Sequence, residues 1–599
     1  MIGLLKKILA DDRSSSSPRN NPFSNTATPP GDHSETLEEA DRLEACGKLE
    51  AAAGLYEKIF VASPSHAHAL FRMGLLKKKQ GAYSEATEFL LRAAETESRA
   101  AEAYHEAGQV YELTHELDEA LYCYQMALHF QPDHAPAHSK LVHLHLDRHE
   151  KKTALDLAEA WAEQFPHSAQ ARRELAKIYA DGKRFDEALE QCRLGLELEP
   201  ENTELLIRHG DLLYKLDRLD EALESLEMAL RLDPGNLSPR IDLGWVYRYQ
   251  GRFDDAAREF NIILQHEPQN FSARWGLCQV RLCMYDFAQG WDDYAARFMA
   301  AESHFRPMPF PIWKGEHLEG KKLLIYAEQG LGDEIMFASC LPDVIGKAGS
   351  VLLECNSRLG SLFHRSFPNI EIFPANKGRD QTWLSDIDGI DLQVPIGGLP
   401  RYLRRTLEAF PRHTGYLHAD SERVRYWKER LEELGPGLKI GFSWRGGTSV
   451  TRQISRTMSL ETCLPIFRTA NCQFVNLQYG DCQEEMAAFQ ASSGVVLNHW
   501  QEAIDDYDET AALVTALDLV VSVCTSLIHL TGALGKPVWI MAPKVPEWRY
   551  GVAGEAMPWY PSSRIFRQPE FKRWEPVVAA IAEELAGFHP SSNGAPDMK

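Results

Sequence analysis

The chain has 599 residues, 44% of them hydrophobic and 25% charged, more than one hydrophobic core supports, so two or three folded domains are expected. Sixty-four Lys and Arg against 86 Asp and Glu give a net charge of −22, which repels phosphate backbones and argues against nucleic acid as a partner. No apolar run reaches the roughly 18 residues that span a bilayer, so no integral membrane contact is expected. The first ten residues, MIGLLKKILA, set two lysines inside their apolar stretch, which spoils a signal-peptide core and leaves at most an amphipathic turn for a membrane surface. A cytoplasmic location is the expectation, and 11 cysteines, an odd number without a CxxC pair, read as buried thiols.

Residues 11–35 are rich in Ser, Pro and Asn, and residues 1–32 are expected to be disordered. From residue 33 an internal period takes over. Ala52, Ala86, Ala120, Ala154, Ala188, Ala222 and Ala256 are spaced by 34 residues. Pro64, Pro132, Pro166, Pro200, Pro234 and Pro268 keep the same step, with Ser98 in the remaining slot. A small residue at each alanine lets two antiparallel helices approach, Gly74, Gly108, Gly210 and Gly244 mark the close contact, and Tyr56, Leu90, Tyr124, Leu226 and Phe260 fill the next layer. Each proline ends the second helix of a pair.

This array, residues 33–300, resembles tetratricopeptide repeats (TPR): seven units and a degenerate eighth, Phe271 to about Phe298, in which Gly290 and Trp291 suit a cap that docks the next domain. The resemblance implies a protein-binding scaffold, the blander reading being a spacer or self-association. Eukaryotic O-GlcNAc transferases line such a groove with asparagines. The matching positions here are Arg72, Glu106, Lys140, Glu174, Arg208 and Asp242, which favours a specific folded or helical partner.

A Pro-rich connector, residues 301–320, ends the helical periodicity. KLLIYAEQ reads as a buried strand, GLGD as a tight turn in which Gly330 and Gly332 free the backbone, and EIMFASCLPDVI as a helix. VLLEC, IEIF and LQVPI complete a first α/β lobe over 321–420. LKIGFSW, QFVNLQ, LDLVVSV and KPVWIM are the strands of a second over 421–585, with a disordered tail expected at 586–599. The predicted fold is thus an all-α solenoid followed by two Rossmann-like lobes facing one cleft, the GT-B arrangement.

EQGLGDEIMFA, GFSWRGG, NLQYGD, DDYDETAALVTALDLVVSVCTSLIHLTGALGKPVW and PWYPSSRIFRQ, within residues 312–568, resemble TPR-linked bacterial glycosyltransferases related to family 9, the ADP-heptose transferases. Bacterial flagellin glycosyltransferases are the functional type of this kind. The resemblance implies a metal-independent, inverting O-glycosyltransferase acting on Ser or Thr of a protein held by the repeats, with flagellin as acceptor. The donor is a nucleotide sugar, a CMP-linked nonulosonic acid or a UDP- or ADP-sugar, and no separate cofactor is implied. The alternatives are a non-catalytic scaffold with a decayed transferase lobe, or transfer to lipopolysaccharide.

Sugar transfer needs a base and donors for a leaving phosphate. The resemblance places the base at Asp333, which alternatively caps its helix. Thr525 and Ser526 open a helix after LDLVVSV whose N–H groups suit a phosphate, and His529 follows one turn on, either a ligand or a buried histidine. Cys524 stands where many relatives have Asp. Arg445 or Arg456 matches the family's basic phosphate contact, with Arg452 between them and solvated loop arginines as the alternative. Thr510, beside Asp506 and Asp508, lies near the nucleotide or belongs to a helix cap. Asp386 and Asp388 form a DxD, but in the wrong setting for metal, and none is expected.

Overall fold

The computed structural model describes residues 33–96, 98–300, 306–375, 383–384, 387–447 and 453–589. The segment 1–32, most of the tail, Arg452 and Asp386 lie outside the described residues. Two compact units divide at Pro239 and Arg240.

The first unit is a ladder of helix pairs, from Ser34–Ala45 with Leu49–Ala62 to Thr203–Lys215 with Leu219–Leu232. The second helices of the pairs start at Leu49, Tyr83, Leu117, Lys151, Phe185 and Leu219, the 34-residue step read from the alanines, and all seven of those alanines, Ala256 of the second unit included, are fully buried. A Cβ on Gly74 would sit 2.6 Å from Leu90 Cγ, one on Gly108 2.7 Å from the Tyr124 ring, and one on Gly210 2.5 Å from Leu226 Cγ. Each glycine therefore exists to admit the large residue 16 positions on. The turn inside each pair holds one left-handed residue, again at the 34-residue step: Gly47 and Gly81, then His115, His149, Lys183 and Asp217. Four of the six groove positions are engaged within the solenoid: Arg72 pairs with Glu44 (2.7 Å), Glu106 with Lys78 (2.7 Å), Lys140 with Glu112 (2.7 Å) and Glu174 with His143 (3.0 Å).

The second unit begins with helices that keep the repeat period, Phe253–His266, Phe271–Cys283 and Phe287–Asp293. A domain boundary at 300–301 would cut through a continuous core rather than between domains. Trp291 is buried against Phe287, Phe337, Trp548 and Trp559, and its Nε1 donates to the Arg404 carbonyl (2.8 Å), so the last repeat and both sheets share one aromatic core. The buried Arg297 donates to Glu328 (2.9 Å), and the Tyr294 hydroxyl bonds with Gln329 (3.1 Å), which fixes the end of the first strand to the repeat.

Beyond these helices lie two all-parallel sheets with surrounding helices. The first has β1 (Lys322–Tyr326), β2 (Ser350–Asn356), β3 (Glu371–Ala375) and β4 (Leu392–Pro395) in the order β3-β2-β1-β4. The second has β5 (Leu438–Ser443), β6 (Cys472–Asn476), β7 (Leu519–Val523), β8 (Val538–Ala542) and β9 (Ser563–Arg567) in the order β6-β5-β7-β8-β9. In each sheet the chain builds to one side of its first strand and then crosses to the other, and crevices at such switch points bind ligands. β9 is additional to the strands expected from sequence: SRIFR, at a sheet edge, holds only two adjacent apolar residues between arginines, with neither an apolar run nor an alternation to stand out. No described helix is long and apolar enough to cross a membrane.

Candidate functional site

A cleft of about 610 Å³ opens at the carboxyl ends of both sheets. Gln329 to Asp333 line it after β1, Gly447 and Arg456 after β5, Cys524 to Leu527 and His529 after β7, and Glu547 to Tyr550 after β8. Trp275, Gln279 and Tyr294 of the last repeat complete a wall, so the repeat array ends in the cleft itself.

The GLGD segment differs from a plain turn. The helix Leu331–Ala338 starts immediately, Gly330 is its N-cap at φ −72°, ψ 164°, and neither Gly330 nor Gly332 has a positive φ. Backbone freedom is therefore not what these glycines supply. A Cβ on Gly332 would lie 2.9 Å from His529 Cδ2 and 3.2 Å from Ser526 Cα, so glycine lets this helix N-terminus meet that of the helix Ser526–Ala533. A similar contact closes the second switch point, where a Cβ on Gly446 would lie 2.9 Å from Thr525 Cγ2.

Asp333 caps its helix, Oδ2 accepting from the Gly330 N–H at 3.2 Å. Its Oδ1 accepts from Nε of Arg549 at 2.9 Å and from Nη2 of the same guanidinium. The pair bridges the two lobes, and each side chain is 17% exposed. Burial acts most strongly against the Arg549 charge, yet the Asp333 carboxylate, together with Tyr294 and Glu547, raises the guanidinium above its ordinary value. Arg549 sits on a short 3-10 turn, Trp548–Tyr550, with its guanidinium 4.6 Å from the Trp548 ring. The turn is clamped by Arg567, which donates to the carbonyls of Tyr550 (2.6 Å), Gly551 (3.0 Å) and Gly554 (2.9 Å). Gly551, at φ 60° and ψ −178°, occupies a region open essentially to glycine alone.

On the opposite wall Thr525 caps the helix Ser526–Ala533, its Oγ1 accepting from Leu527 N at 3.3 Å. His529 is buried with Nδ1 3.1 Å from the Tyr560 hydroxyl; burial, reinforced by the Arg549 charge, pushes its pKa down to about 3, so it is neutral at ordinary pH. Burial raises the Cys524 thiol to about 12, which keeps it protonated and unreactive. Glu547, 3.8 Å from Arg248, is held below the usual carboxylate range because the charges of Arg248, Arg456 and Arg549 outweigh its burial.

Of the residues singled out from sequence, the cleft gathers Gly330, Gly332, Asp333, Arg456, Thr510, Thr525, Ser526 and His529. Arg445 is elsewhere: its guanidinium bonds to the Asp481 carbonyl (3.0 Å) and pairs with Glu485 (3.4 Å), outside the cleft lining. Thr510 turns its hydroxyl onto the carbonyls of Ala503 and Asp506, while Asp506 caps the helix and Asp508 forks onto Arg365 (3.0 and 2.7 Å), so this cluster serves structure. Asp388 is exposed and does not line the cleft, and no group of three metal-binding side chains occurs among the described residues. Arg549, Glu547, Arg358, Trp275 and Gln279 are lining residues that the sequence does not single out. The first two lie in VPEWRYG, which has no periodicity and gains meaning only when the fold brings it to Asp333, 216 positions away in sequence.

Residues 139–203 and 213–280 match tetratricopeptide repeat models, so the chain carries such repeats. Protein FlbA of Caulobacter vibrioides is 37% identical over 328 residues, which cover 52% of this chain and 54% of that protein. The chain thus spans about half the length of that curated relative. Among solved structures, YrrB, described as a TPR protein with an unusual peptide-binding site, shares 23% identity, covering 31% of this chain and 95% of that one with a TM-score of 0.24. Yeast Tom70 shares 19%, covering 50% and 58% with a TM-score of 0.33.

Proposed function

We propose that the cleft is the active site of a GT-B glycosyltransferase that moves a sugar from a nucleotide donor to a Ser or Thr hydroxyl of a protein engaged by the repeats. One observation carries this reading: a single cleft at the switch points of two parallel sheets joins a carboxylate, a helix N-terminus and several arginines. Such crevices take nucleotides, and the N–H at Ser526 and the positive end of the helix it opens, with Arg549 and Arg456, suit a phosphate that gains charge as it leaves. In the reaction the acceptor oxygen bonds to the anomeric carbon while the carbon–phosphate-oxygen bond breaks. The nucleotide departs with the bonding pair, and the hydroxyl proton passes to Asp333. The wall formed by Trp275, Gln279 and Tyr294 supports entry of the acceptor from the repeat side. Flagellin is the acceptor, and a CMP-, UDP- or ADP-linked sugar the donor, to which the sequence resemblance points.

The Asp333–Arg549 pair favours one competing reading, a scaffold whose base is permanently occupied. Intact-mass analysis of flagellin and other abundant secreted proteins decides between them, using cells with the wild-type chain, Asp333→Ala, or no chain. Sugar-sized increments found only with wild type are expected. Unchanged masses in all three would point to the scaffold or to a lipopolysaccharide acceptor.

A further inference from the structure

We infer that Arg549 is the phosphate-binding residue of the cleft and that, before an anion arrives, it latches Asp333, so that anion binding is what frees the carboxylate. The inference rests on the reading of the cleft as a nucleotide site.

The geometry favours a movable tip on a fixed base. The backbone that follows Arg549 is held by bonds from Arg567 to the carbonyls of Tyr550, Gly551, Ala553 and Gly554, whereas the guanidinium of Arg549 reaches across the cleft to one carboxylate. Both of its described bonds fall on the single atom Oδ1. A guanidinium bonds best when two parallel N–H groups meet two oxygens, which phosphate offers and this pairing does not. A diphosphate also brings more charge than one carboxylate. It would lie beside Thr525 and Ser526, which line the same cleft as Arg549, where helix N–H groups add to the attraction. Glu547, the other acidic group of the lining, sits against Arg248. With the guanidinium drawn to phosphate, Asp333 keeps its bond from Gly330 N–H and presents Oδ1 to an acceptor hydroxyl. The order is therefore nucleotide first, acceptor second.

Calorimetric titration of the full-length protein with inorganic pyrophosphate, CMP, UDP and ADP tests this. The variants are Asp333→Asn, Arg549→Gln, Arg549→Lys and the Asn/Gln double substitution, which leaves no unpaired charge at the pair. Removing the arginine should weaken binding about 10- to 100-fold, with Arg549→Lys intermediate. Asp333→Asn should tighten it about fivefold or more by releasing Arg549, yet change it less than about twofold when Arg549 is already Gln. Equal tightening in both backgrounds would mean plain charge repulsion and overturn the latch while leaving the anion site standing. Arg549→Gln binding as well as wild type would overturn the phosphate role. If no probe binds wild type or Asp333→Asn, both the latch and the nucleotide reading fall.

Discussion

Replacing Gly332 by alanine should force apart the two helix N-termini that meet in the cleft. The added Cβ would lie 2.9 Å from His529 Cδ2, 3.2 Å from Ser526 Cα and 3.3 Å from Ser526 Cβ. Cβ contacts inside 3.4 Å are rare, so the imidazole side must yield by 3.4 minus 2.9, or 0.5 Å. It has little room: His529 is buried and tied to Tyr560, and Ser526 Cα belongs to the backbone. Overpacking of this kind costs about 1–3 kcal/mol. Gly330→Ala is the matched control. Its φ of −72° suits any residue, and the one close atom to its Cβ is the side-chain oxygen Asp333 Oδ2 at 3.2 Å, so only the poorer capping by alanine counts and a loss under about 1 kcal/mol is expected. Urea unfolding followed by tryptophan fluorescence measures both, and pyrophosphate titration should show weaker binding for Gly332→Ala only. Equal stabilities for Gly332→Ala and wild type, or an equal loss at Gly330, would refute the close-approach argument.

Four other substitutions probe the stability of the same molecule. His529 titrates near 3 when folded against about 6.5 when unfolded, so the unfolded chain binds the extra proton and stability falls as pH drops through that window, by about 1.4 kcal/mol per pH unit. His529→Gln should remove that one-proton slope from unfolding curves taken between pH 7.5 and 5.5, and an unchanged slope would place the lost proton on another histidine. Gly81, at φ +76° with nothing within 4 Å of a Cβ, should lose about 1 kcal/mol as alanine from backbone strain alone, while His149→Gly should be neutral or stabilising; the reverse order would contradict a left-handed turn at each repeat. Arg297→Met leaves Glu328 buried without its guanidinium and should cost about 3–5 kcal/mol in denaturant unfolding, unless the carboxylate is far more hydrated than its 3% exposure indicates.

The solenoid is legible in the sequence because its signals are independent and local: alanine, glycine and proline each repeat at the same step, and the glycine of one helix faces the large residue 16 positions later. The left-handed turns are half hidden, since Gly47, Gly81 and Gly251 announce them but His115, His149, Lys183, Asp217 and Tyr285 do not. Most strands of both sheets stand out as buried apolar runs; the edge strands β3, with no buried residue, and β9 do not. In the candidate site, residues on strand-to-helix turns can be named because such turns face the carboxyl end of a parallel sheet. Arg445 sits on such a turn too, but the neighbouring Asp481 and Glu485 draw it away, a choice made by tertiary neighbours alone. Arg549 is invisible for the converse reason: nothing around it in sequence distinguishes it, and its partner arrives from the other lobe.

The aromatic core around Trp291 also decides where the molecule can be shortened. A fragment starting after Ala300 would strip Phe287, Trp291, Tyr294 and Arg297 from beneath Phe337, Trp548 and Glu328, exposing a Trp-rich face and unfastening the loop that carries Asp333. Every described residue of that core lies after Arg240. The last repeat is therefore as much a part of the cleft as the strands, and cannot be cut from the sheets without opening it.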